Sequence, residues 1–83
     1  MARYFFHLCD GQDVLMDPDG REIIDASDIP SIALKEARVC ISEDVLEGRI
    51  HLEQTIEVRD RNGRLVHSIH FRDAVTDRNG GQA

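Results

Sequence analysis

Four histidines and two cysteines are the residues of this chain best suited to chemistry, and their spacing limits what each can do. His7 and Cys9 stand two apart in an alternating segment, so they share a face as two metal ligands would. Zinc needs three or four ligands, each oriented by partners behind it. No H-x-x-x-H or C-x-x-C spacing supplies the remainder. His67 and His70 are three apart on a predicted strand, so they point to opposite faces and cannot chelate one ion. Nucleophilic catalysis fares no better. Cys9 sits beside Asp10, an acidic setting that disfavours the thiolate, and Cys40 falls on the apolar stripe of a predicted helix. A Cys9–His7 pair shares a face but is too widely spaced for direct proton transfer. The residues therefore predict no catalytic site, no metal and no cofactor, and a protein that is not an enzyme.

The acidic series Asp13, Asp17, Asp19, Glu22, Asp25 and Asp28 does not place its glycine and glutamate as a calcium loop requires. It reads as turn, cap and solubilising residues. Asn79-Gly80-Gly81 follows no strand and precedes no helix, so it is no phosphate loop. Tyr4-Phe5-Phe6 has one functional alternative, since exposed strand aromatics stack RNA bases in small sheet proteins. The formal charge of −6, from 16 acidic and 10 basic residues, opposes that reading. The nearest basic cluster, Arg59, Arg61 and Arg64, is interrupted by Asp60. Nucleic acid is thus disfavoured as a partner. No apolar run approaches membrane-spanning length and none follows a basic leader. The two cysteines lie in different predicted elements and read as reduced thiols. Together these features predict a cytoplasmic protein with no membrane partner.

The elements that position these residues are legible from periodicity. Tyr4, Phe6 and Leu8 alternate with Phe5, His7 and Cys9, which predicts an aromatic strand apolar on both faces. Val14-Leu15-Met16 and Glu22-Ile23-Ile24 flank the turn Asp17-Pro18-Asp19-Gly20 and form either a second strand or an irregular ribbon. Asp28 or Ser27 can cap the helix that follows, with Pro30 in its first turn. Ile29, Ala33, Ala37, Cys40, Ile41 and Val45 fall on one stripe of that helix, placed at about 29–47 with Gly48 as its stop. Thr55 to Arg59 and Arg64 to Phe71 form a hairpin reversing at Asp60-Arg61-Asn62-Gly63. Leu65, His67, Ile69 and Phe71 should share one face of its second strand, and Val66, Ser68 and His70 the other.

In this order the segments resemble a family of short bacterial proteins of unknown function. The resemblance is carried by the opening Arg3-Tyr4-Phe5-Phe6-His7-Leu8, the Asp19-Gly20 segment and the helix from Ala33 to Ala37. A hairpin of the form V-x-D-x-x-G (Val58 to Gly63) and the closing Phe71-Arg72-Asp73 complete it. It covers nearly the whole chain apart from the tail. The family has no assigned activity, so the resemblance implies no catalytic residue. The Ile29-Pro30 helix start departs from its plainer helix formers.

The expected fold is α+β. An antiparallel sheet of three to four strands carries one helix on one face, in the order β-(β)-α-β-β. Residues 1–75 form a single domain and 76–83 a tail that frays. With the helix on Tyr4, Phe6, Leu8, Ile56, Val58, Ile69 and Phe71, the residues Phe5, His7, Glu57, Arg59, Ser68 and His70 form an open face. That face is the candidate interaction surface. One helix cannot shield both sides of a sheet, and so short a chain gains from shared apolar area. The expected function is a small non-enzymatic protein-interaction module, self-associating as a homodimer through this face or a strand edge. The alternative is a nucleic-acid-associated regulator of the small antitoxin or partial RNA-binding-domain type.

Overall fold

A computed structural model describes residues 2–75. The strands are β1 (Ala2–Asp10), β2 (Asp13–Leu15), β3 (Arg21–Ile23), β4 (Thr55–Asp60) and β5 (Leu65–His70). The main helix α1 (Ile29–Leu46) lies between β3 and β4, and a single turn, α2 (Phe71–Ala74), follows β5. The fold is α+β, with one open antiparallel sheet ordered β2-β1-β4-β5 and β3 also paired to β1. The two segments flanking Asp17-Pro18-Asp19-Gly20 are therefore both strands. β2 pairs with the Leu8–Asp10 end of β1 and β3 with its Ala2–Tyr4 end, so they share one flank of that strand. On its other flank β1 pairs with β4 from Tyr4 to Cys9.

The core is where the alternation puts it. Phe6, Ile23, Ile56, Val58 and Phe71 are buried from the sheet side, and Ile29, Ala33, Ala37 and Ile41 from α1. Ala33 and Ala37 have no exposed surface, as close helix–sheet packing on small side chains requires. α2 packs against α1, and the Arg38 Nε donates to the Ala74 carbonyl at 2.8 Å. Phe71, fully buried, ends the sheet rather than extending it: its N–H still donates to the Gln54 carbonyl at 2.8 Å before the chain turns into α2.

Three expectations are corrected. First, neither Ser27 nor Asp28 caps α1 with its side chain. A 3-10 turn over Ala26–Asp28 runs straight into the helix and leaves Asp28 in a helical conformation. Asp25 instead caps that turn by accepting from the Ser27 N–H at 3.0 Å. Second, Val45 is 52 % exposed, because the last turn of α1 projects past the core. The helix closes in a Schellman arrangement, with Gly48 N–H donating to the Val45 carbonyl and Arg49 N–H to that of Asp44. Third, Leu65 does not share the face of His67 and Ile69. A bulge after Val58 pairs Arg59 with Leu65 and leaves Val66 as the extra residue, which carries Leu65 to the opposite face at 46 % exposure. The expected tail, 76–83, lies outside the described residues.

The hairpin reverses where expected, through the three residues Arg61, Asn62 and Gly63. Asp60 and Arg64 close it through Asp60 N–H to Arg64 O at 3.0 Å, and the Asp60 carboxylate accepts from Asn62 and Arg64 N–H at 2.9 Å each. Gly63 has φ +84, with open space where a Cβ would stand. Gly63→Val is therefore expected to cost on the order of 1 kcal/mol, all of it backbone strain. Urea titration at neutral pH measures this, and an unchanged midpoint would remove the strain argument.

Candidate interaction face and strand edge

The registers assemble the open face as three rows. Phe5, Arg59 and Leu65 lie side by side, then His7, Glu57 and Ser68, then Cys9, Thr55 and His70. All six expected site residues fall in these rows, so the sequence brought together what the sheet brings together. Their environments differ sharply. Phe5 stacks on His7, ring centres 6.3 Å apart and planes 16° from parallel. Arg59 reaches Glu57 at 3.0 Å and the Gly63 carbonyl at 2.8 Å. The Thr55 hydroxyl and His70 Nδ1 are 2.9 Å apart. Ser68 and His70 are exposed, whereas His7 is only 7 % exposed.

His7 is buried because the turn between β2 and β3 folds over it. Asp17 N–H donates to His7 Nδ1 at 3.0 Å, which places the ring proton on Nε2. The Asp17 carboxylate accepts from Phe6 N–H at 3.1 Å through one oxygen. Through the other it accepts from Gly20 at 3.1 Å and Asp19 at 3.3 Å. Asp17 thus bridges the gap between β2 and β3, giving β1 the acceptor that a continuous strand would have supplied. The sequence shows Asp17 only as a turn residue. Its partners Phe6 and His7 are eleven and ten positions away, and no local pattern marks them. Arg21 was equally hidden: its guanidinium lies 4.7 Å above the Phe6 ring and 3.2 Å from Glu36.

Burial pushes the Asp17 carboxyl up, but the three backbone N–H donors and His7 outweigh it and hold it below the usual aspartate range. A carboxyl depressed in the folded state contributes stability above its unfolded pKa, near 4, and that contribution disappears as pH falls through the folded value. Acid titration of stability should therefore steepen below about pH 4. Asp17→Asn should be less stable at pH 7 and show a shallower acid slope. The slope that remains includes Asp25, depressed by its two bonds from Ser27. Identical acid slopes for the variant and the parent would show that the bridge does not depend on charge.

The remaining chemistry-bearing groups are separate. Burial pushes the Cys9 thiol up and the neighbouring Glu57 carboxylate pushes it further, against a smaller opposing pull from Arg59. Burial raises the Cys40 thiol too, with Glu36, Glu43 and Asp44 adding to it. The two cysteines are free, on opposite sides of the sheet. Among the described residues no three His, Cys, Asp or Glu side chains are placed to hold a metal ion. Arg3 and Arg61 line a shallow groove with Glu22, where Arg3 is engaged by Glu22 at 3.7 Å and by the Asp19 carbonyl at 2.8 Å. No described helix is long and apolar enough to cross a membrane.

A protein-family model described as a domain of unknown function, DUF6894, matches residues 3–72. The chain belongs to this family. The DUF6894 span takes in all three rows of the open face, the Asp17 bridge and the whole of β5. It ends within α2. No curated protein and no solved structure matches the chain.

Proposed function

We propose that this DUF6894 domain is a non-enzymatic protein-interaction module that self-associates. The observation that carries the reading is the free edge of β5: among the described residues β4 is its only neighbour in the sheet. The part of the open face near β1 is closed by the Asp17–Gly20 turn, with His7 buried beneath it and Phe5 stacked on His7. The part near β5 is accessible. Ser68 and His70 are exposed there, beside Leu65 and Val66. A sheet edge with unpaired amides and apolar neighbours is a surface onto which another strand can add. The nucleic-acid alternative has less behind it. Arg59 is engaged by Glu57, and Phe5 offers no free ring for a base.

The test is sedimentation velocity over a hundredfold range of protein concentration. A reversible dimer is the expected result. A strict monomer at high micromolar concentration would end the self-association reading.

A further inference from the structure

We infer that the partner at β5 is a second copy of this chain, paired antiparallel about a two-fold axis at Ile69. The inference rests on the self-association reading and adds to it the surface, the register and the residues. The Phe71 N–H donates to the Gln54 carbonyl at 2.8 Å, and Gln54 immediately precedes β4. Bonded pairs alternate along an antiparallel ladder. Continuing from that bond, Ile69 with Ile56 and His67 with Val58 are the bonded pairs, in the observed register. Ser68 and His70 therefore turn their N–H and C=O groups outward.

This outward edge is short at both ends. The bulge at Val66 breaks the alternation on one side, and the chain enters α2 at Phe71 on the other. A long peptide strand would find regular alternation only over Ser68 and His70, because the bulge throws Leu65 out of step with them. A second copy uses the same short edge twice. Ser68 exchanges two backbone hydrogen bonds with the partner's His70, and His70 does the same with the partner's Ser68. The shared surface is self-complementary, as a two-fold interface must be.

The side chains fit this register. Ser68 and the partner's His70 stand opposite each other on the open face. His70 Nδ1 already meets the Thr55 hydroxyl at 2.9 Å, which leaves Nε2 for the serine hydroxyl of the other copy. Charge points the same way. The chain carries −6 overall, yet Leu65–His70 contains no Asp, Glu, Lys or Arg. Two copies can approach along β5 without like charges facing each other in the ladder.

Amide hydrogen exchange on the unmodified protein tests the geometry. The Ser68 and His70 amides should exchange readily at low concentration and slow by about tenfold or more at concentrations where the dimer fills. A dimer in which both amides exchange as fast as in the monomer would overturn this register while leaving self-association standing. A strict monomer would overturn both. Ser68→Pro is the companion variant. It removes an outward N–H that β4 does not use, so the monomer should keep its far-UV circular dichroism while dimerisation weakens about tenfold or more. A Ser68→Pro protein that folds and dimerises like its parent would equally refute pairing at β5. If it does not fold, the exchange measurement decides.

Discussion

Ala37→Glu is expected to unfold the protein. Ala37 has no exposed surface, on the face of α1 that packs into the core with Ala33 and Ile41. A glutamate there would place a carboxylate among apolar side chains with no partner, or force the helix away from the sheet. The first outcome costs several kcal/mol, and the added volume costs about 1–3 kcal/mol more. Single domains are stable by only about 5–15 kcal/mol, and a chain this short belongs near the lower end. The result should be loss of the cooperative thermal transition seen by circular dichroism. Lys35→Glu, which puts the same side chain at an exposed position two residues away on the helix and changes the charge by more, should leave the transition nearly in place. An Ala37→Glu protein that melts with its parent would refute the orientation of α1.

Gly20→Val should be the next most damaging change, by about 2–5 kcal/mol. Two costs combine. Gly20 has φ +67, which a β-branched residue adopts only under strain. A Cβ there would also lie 2.8 Å from the Tyr4 carbonyl oxygen and 2.9 Å from two atoms of the Phe5 ring. The carbonyl belongs to the central strand and cannot yield without disturbing the sheet. The turn must then lift, and the Gly20 bond to Asp17 is lost with it. Gly63→Val provides the comparison, since its φ is also positive but its surroundings are open. Denaturant unfolding of both variants separates strain from collision. Equal losses would mean that the close approach at Gly20 contributes nothing.

Periodicity revealed the parts of this fold that repeat. The buried faces of β1, β4 and α1 lie where alternation and helical spacing put Phe6, Ile56, Val58, Ala33 and Ala37. The candidate face followed from the same alternation, because its β1 and β4 residues are the partners left over. What escaped is non-repeating. β2 and β3 are three residues each, too short to show a period, and their pairing depends on the turns that return them to β1. The bulge at Val66 shifts Leu65 to the other face without altering the hydrophobic pattern. α2 is a single turn, and Phe71 read equally well as the last residue of β5. The Asp17 bridge is a long-range contact made by a residue whose neighbourhood already explained it as a turn. The open face was thus identified from the sequence as a set of residues. Which half of it is closed was not, because His7 is buried by a turn rather than by a neighbouring strand.

The place of β1 in the sheet also bears on how the chain reaches this structure. β1 meets β2 after a single short reversal and β3 further along the same returning segment, and β4 meets β5 through a three-residue turn. The ladder joining these two local units, β1 to β4, closes across roughly fifty residues that include the whole of α1. Loop-closure entropy makes that step the costly one, and only then do Phe6 and Val58 come to lie side by side beneath the helix. Folding should therefore be paced by the meeting of its two ends. A substitution that leaves both hairpins intact but weakens the β1–β4 ladder would slow folding more than one confined to either hairpin.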